Sequence, residues 1–250
     1  MKEIDLKLKL FAGRAINAEG YGDIEPLTVR EIVDLGYSEY MKCLNIMTLT
    51  KQDFLDDAPE ELHVLELLMI YGGQEIESAF EEALALFLHG EVIIDKDECR
   101  AFVKKSEDDI GVVTKDNYHE IQEVIKWQNY INSFEEKNLE SNFDPVDEET
   151  RKLKEQMDAV AKRRDELKKK QKQNSISDED EEGDIDFFDI LSAISSKSYS
   201  VNELNALDLT VYQVYRKFKR MEIIDQYDIS IKSILAGAKD VKLKHWSSKS

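Results

Sequence analysis

The chain has 250 residues, of which 35% are charged and 42% apolar, and its net charge is −19. That length accommodates one large domain or two small ones with a core of useful size. It contains no apolar run of the roughly 18 residues a membrane helix needs. The opening MKEIDLKLKL is no signal peptide, and two cysteines, Cys43 and Cys99, form no disulfide framework, so a reducing cytoplasm is the expected setting.

Charge is distributed in blocks. Residues 1–150 carry 14 Lys+Arg against 35 Asp+Glu, residues 151–173 carry 10 against 4, residues 174–189 carry 0 against 8, and residues 190–250 carry 10 against 6. An acidic front half repels nucleic acid and anionic membrane, and the alternation of blocks reads as modular organisation.

Taken in chain order, Ile4, Leu6, Leu8 and Leu10 alternate with polar residues, which predicts a half-buried strand. Gly13, Gly20 and Gly22 punctuate a loop. Residues 27–46 follow a helical pattern with Thr28 as cap and Gly36 as a weak point. Asp57-Ala-Pro-Glu-Glu opens a further helix whose stripe is Leu62, Leu65, Leu68 and Met69, ended by Gly72-Gly73. Ile76 to Leu88 is helical. Short strands are predicted at 91–94, 99–103 and 111–113, and a helix at 115–131. Residues 1–134 therefore read as one α+β domain, mostly helical with a few short strands.

Pro145 marks a boundary. Residues 135–186 read as a charged helix with a thin seam of Leu153, Met157, Val160, Ala161 and Leu167, followed by an acidic linker. Residues 187–250 read as a small all-α module, with an amphipathic start (Phe187, Phe188, Ile190, Leu191, Ile194) and helices at 200–207, 209–221 and 226–237.

Three constellations bear on function. DEDEEGDIDFFD, residues 178–189, places Asp178, Asp180, Glu182, Asp186 and Asp189 at the ligand positions of a calcium loop, with Gly183 at the sixth. Glu is long for the fifth position, Asp is short for the twelfth, and the preceding KKKQKQNSIS cannot pack as an entering helix, so a solvated acidic tether is the better reading. His63, His89, His119 and His245 stand far apart, and His63 in EELHVLELL reads as structural. The chain has no HExxH, CxxC, phosphate-loop or GxSxG pattern, so no catalytic, metal or cofactor-binding residues are predicted. Residues 201–207 and 210–220, broken at Asp208, have helix-turn-helix spacing, with Gln213, Arg216, Lys217, Lys219 and Arg220 facing phosphates. The weightier reading makes Val211, Val214, Tyr215, Phe218 and Met221 a buried stripe and the basic residues its solvated face.

The run NALDLTVYQVYRKFKRMEIIDQYDISIKSILAGAKDVKLKHW resembles the C-terminal end of proteins from the tail-morphogenesis region of phages and prophages of low-GC Gram-positive bacteria. IEPLTVREIVDLGYSEYMKCLNIMT, GVVTKDNYHEIQEVIKWQN and FDPVDEETRKLKEQMDAVAKRR share that resemblance. It implies a tail assembly chaperone in the host cytoplasm that holds the tape measure protein and recruits tail tube subunits through residues 201–246. The contacts expected are Phe187, Phe188, Leu191, Tyr212, Tyr215, Arg216, Phe218, Tyr227 and Trp246. The alternatives are a structural tail or baseplate component found in virions, a DNA-binding regulator, and an acidic decoy for host machinery.

Overall fold

The structure, a computed structural model, describes residues 2–54, 62–131, 185–236, 243 and 245–248. The expected α+β class holds: short helices surround a three-stranded sheet and a small hairpin.

The first element corrects the sequence reading. EIDLKLKLF forms a helix, α1 (Glu3–Phe11), not a strand. Strict alternation puts apolar residues on two opposite faces of a helix: Leu6 and Leu10, four apart, are buried, while Ile4, Leu8 and Phe11 face outward. Acidic Glu3 and Asp5 in the first turn, Lys9 in the last, and a Glu3–Lys7 pair at 2.6 Å all favour helix.

The expected glycine loop contains a hairpin. β1 (Ile16–Ala18) pairs antiparallel with β2 (Gly22–Ile24), burying Ile16, Ala18 and Ile24. Gly20 at φ +77° makes the turn. Thr28 then caps α2 (Val29–Leu35): the Glu31 N–H donates to Thr28 Oγ1 at 3.3 Å, and Glu31 Oε2 accepts from the Thr28 N–H at 2.7 Å. Gly36, at φ +99°, divides α2 from α3 (Tyr37–Thr48).

After α4 (Lys51–Phe54), the expected start of the next helix at residue 57 lies outside the described residues. His63 is a cap and not an interior helical residue. Its Nδ1 accepts from the Leu65 N–H at 3.1 Å ahead of α5 (Val64–Glu66), which widens into a π-turn over Leu67–Tyr71. α6 (Gly73–Leu88) buries Phe80, Leu84 and Phe87. It leads into β3 (Glu91–Asp95), β4 (Arg100–Lys104) and β5 (Ile110–Val113), antiparallel in that order.

α7 (Lys115–Gln128) is the post on which the rest is hung. It buries amides as well as apolar groups, and each amide has a backbone partner. Asn117 Nδ2 donates to Gly20 O and Val112 O, Gln122 Nε2 to Met47 O and Leu49 O, and Gln128 Nε2 to Ile24 O, all within 2.8–3.1 Å. Hairpin, sheet and α3 are thereby held to one helix by bonds that water cannot replace without exposing the core.

The C-terminal part differs most from expectation. Its described helices are α8 (Phe187–Lys197) and a single 25-residue α9 (Val211–Leu235), with one 3₁₀ turn at Ala206–Asp208. Ser200–Asn205 is not helical, so no helix-turn-helix forms. Asn202 and Asn205 close that stretch into turns with backbone N–H groups, as short polar side chains do. Nothing breaks α9 near residue 222, so the two expected helices are one. Residues 1–132 and 187–250 belong to one compact unit, so the two ends do not fold as separate bodies. The seam is specific: the Val29 N–H donates to Leu209 O at 2.9 Å, Thr28 and Thr210 form an antiparallel bridge, and Gln213 Nε2 donates to Phe11 O at 2.9 Å.

Candidate interaction site: an aromatic cleft

A chain of rings runs through the place where α3, the end of α7, α8 and α9 meet. Tyr37 stacks on Phe187 (centroids 5.5 Å, planes 10° apart), Phe187 leans on Tyr215 at 5.9 Å, and Tyr215 stacks on Tyr130 at 5.5 Å. Tyr40 contacts Tyr37 at 5.9 Å, and Tyr212 contacts Tyr130 at 5.5 Å. Tyr37, Tyr40, Tyr130, Phe187 and Tyr215, with Met41, Leu44, Asn129 and Val211, line a cleft of about 310 Å³.

Local sequence explains how these rings converge. Gly36 frees the chain to start α3 at Tyr37, and the i,i+3 spacing puts Tyr37 and Tyr40 on one face. Tyr212 and Tyr215 repeat that spacing on the first turns of α9, where Thr210 fixes the helix start. Tyr130 arrives differently. α7 ends with the Ile131 N–H donating to Lys126 O at 2.8 Å and the Tyr130 N–H to Trp127 O at 3.3 Å, which puts Tyr130 at φ +61°. Glycine is the usual residue there, and a side chain costs about 1–2 kcal/mol. Two ring contacts at about 0.5–1.5 kcal/mol each offset that cost.

The cleft is apolar with a few fixed polar groups. The Tyr40 hydroxyl donates to Asn129 Oδ1 at 2.8 Å, and Asn129 Nδ2 donates to Ile125 O at 2.7 Å. Burial, and then the neighbouring phenols Tyr215 and Tyr37, push the Tyr40 hydroxyl above the usual phenol range. Burial does the same to Tyr215. These hydroxyls stay protonated and act as hydrogen-bonding groups, not as bases. Such a cleft takes up an apolar or aromatic side chain and orients it; it offers no nucleophile–base pair.

The contacts expected from sequence separate into groups. Phe187 and Tyr215 come together in the cleft, and Tyr212 lies against the Tyr130 ring. Phe188, next to Phe187, faces outward at 73% exposure, and Leu191, Arg216 and Phe218 are half-buried. Tyr227 and Trp246 belong to a second cluster with the His245 ring between them, at 5.7 and 5.3 Å. Tyr37 and Tyr130 were not anticipated. The i,i+3 tyrosine pair after Gly36 was a usable signal for Tyr37, whereas nothing local to Tyr130 shows that its ring reaches α9. Two of the basic residues proposed for phosphates are engaged within the chain: Arg220 Nη1 donates to Trp246 O and Ser248 O, and Lys219 pairs with Glu222 at 3.5 Å. The calcium reading falls mainly on residues 178–184, outside the described residues; among the described residues no group of three or more His, Cys, Asp or Glu could hold a metal ion. No described helix is long and apolar enough to cross a membrane.

A family model described as the YomV second domain matches residues 169–250, the last third of the chain, including α8 and α9. The match suggests a protein of phage or prophage type. No curated protein and no solved structure matches the chain.

Proposed function

We propose that this chain is a non-enzymatic protein-binding factor, a phage tail assembly chaperone that holds the tape measure protein and recruits tail tube subunits. One observation carries the reading: the aromatic cleft is built jointly by α3 and α7 and by the helices within the family-matched segment. Rigid tyrosines around an apolar hollow are the usual anchor for a partner's side chain, because they offer large contact area at low entropy cost. A helix carrying a Leu or Phe anchor suits that volume. The outward face of α1, with Ile4, Leu8 and Phe11 each more than half exposed, adds a second apolar contact for a long helical client. A net charge of −19 keeps such a complex dispersed by repulsion.

The test is co-expression of the full chain with a tape measure fragment, scored by the fragment's soluble yield. The native chain raises that yield, and the paired variant Tyr37→Ala/Tyr215→Ala does not, although it stays folded by circular dichroism. A fragment that is as insoluble with the native chain as without it sinks the reading. Mass spectrometry of purified particles separates a chaperone, which is absent from them, from a structural tail component, which is present.

A further inference from the structure

The two edges of the three-stranded sheet are treated differently. On the β5 side, Val112 O is taken by Asn117 Nδ2, and the Tyr21 ring lies so close that a Cβ on Gly111 would come within 2.6 Å of it. Asn117 thus occupies a carbonyl of β5, and the β1–β2 turn lies against the face of that strand. On the other side, no described residue pairs with the free edge of β3. An open edge exposes a row of unpaired N–H and C=O groups, which is a template for another strand.

The side chains of β3 say what kind of strand. Glu91, Ile93 and Asp95 share the outward face, with Ile93 60% exposed beside Phe102 and Val112. A second copy of this chain, paired antiparallel about Ile93, would set Glu91 against the copy's Asp95, like charges directly opposite, which is destabilising. Just past the end of β3 a trough of about 480 Å³ runs between α6 and Lys96, with Glu77 and Glu81 on its wall. Lys96 neutralises Glu77 at 2.7 Å, and Asp95 is bound by Arg100 at 3.0 Å, but Glu81 and Glu91 have no ion pair among the described residues. The edge therefore carries an apolar centre between negative flanks.

We infer that the free edge of β3 takes up an extended, basic segment of another polypeptide by strand addition. Main-chain hydrogen bonds supply the register, an apolar side chain lies beside Ile93, and Lys or Arg residues meet Glu91 and Glu81. This site is independent of the aromatic cleft and of the chaperone reading.

The probe is an acetylated nine-residue peptide, Thr-Thr-Lys-Thr-Val-Thr-Lys-Thr-Thr, which sets valine beside Ile93 and, two residues away on the same face, lysine beside Glu91; it is titrated into the full ¹⁵N-labelled chain. Binding shifts the amides of residues 91–95 and slows their hydrogen exchange. A peptide of the same composition in scrambled order binds at least tenfold more weakly, because the lysine–valine–lysine spacing is lost while charge is kept. The variant Glu81→Lys/Glu91→Lys, exposed at both positions, keeps its fold by circular dichroism and binds the unscrambled peptide at least tenfold more weakly. Equal binding of the scrambled peptide, unchanged binding by the variant, shifts confined to other residues, or no binding at millimolar peptide would each overturn the inference.

Discussion

Tyr130 and Tyr215 stack with ring centroids 5.5 Å apart and planes 11° from parallel, although one ends α7 and the other lies in the second turn of α9. The contact joins the chain's two halves at the edge of the candidate site. It is also paired with a backbone penalty, since Tyr130 sits at φ +61°. A residue held in a left-handed conformation persists only when its surroundings over-determine it, and here the stacking rings do so.

That arrangement gives an unusual order of stability. Tyr130→Gly removes the rings' contact but also the left-handed penalty, whereas Tyr130→Ala removes the contact and keeps the penalty. We expect the alanine variant to be less stable than the glycine variant by about 1 kcal/mol in urea unfolding. Alanine equal to or above glycine would mean that the backbone at residue 130 is not strained.

Thr28 and Thr210 each cap a helix, and they are joined by a backbone bridge. Replacing either with alanine should cost about 1 kcal/mol. Because the two caps share one seam, the double replacement should differ from the sum of the singles by about 0.5 kcal/mol or more, in a double-mutant cycle of unfolding free energies. Strict additivity would show the bridge to be energetically idle.

Gln213 serves two partners at once. Its Oε1 accepts from the Thr210 N–H at 2.9 Å, and its Nε2 donates to Phe11 O at 2.9 Å. Gln213→Glu keeps the first bond and loses the second, setting a carboxylate oxygen against the Phe11 carbonyl oxygen. We expect a loss of about 1–3 kcal/mol and a lower Tm, with Gln213→Ala giving a similar loss by a different route. A glutamate variant as stable as the parent would show that the Phe11 bond contributes nothing.

What the sequence made legible follows from the range over which each signal acts. Thr28 announced the start of α2 because a cap acts within one turn, whereas Gly36, a weak point in a single expected helix over 27–46, divides α2 from α3. The alternation over Ile4–Leu10 misled because a helix with Leu6 and Leu10 inward and Ile4, Leu8 and Phe11 outward has the same pattern as a strand. The three-residue strands at Ile16 and Gly22 are too short to show a period. The cleft depends on long-range placement: Tyr37 meets Phe187, and Tyr130 meets Tyr215, for reasons that lie in the packing of α8 and α9 and not in either neighbourhood.

The same placement bears on dissection of the chain. Phe187, Ile190, Ile194, Val211 and Val214 are buried in the unit that contains the first half. A chain ending at residue 186 should therefore expose their former partners, Tyr37 and Tyr130 among them, bind an apolar dye and unfold with reduced cooperativity. A truncated chain with the parent's Tm for its remaining structure would return the molecule to two independent bodies.

Alkaline titration tests the buried phenols together. Burial raises Tyr21 to about 12 and pushes Tyr40 and Tyr118 further up, beyond the usual phenol range. These groups hold their protons in the folded chain and lose them near pH 10 when unfolded. Because their folded pKa values exceed the unfolded ones, their contribution is complete below about pH 10 and is lost as pH rises toward the folded values. Tyr21, Tyr40 and Tyr118 should ionise in one cooperative step together with loss of helical circular dichroism. If absorbance at the phenolate band rose fully before the helical signal changed, Tyr21, Tyr40 and Tyr118 would be open to solvent, and the core described around α7 and the cleft would be wrong.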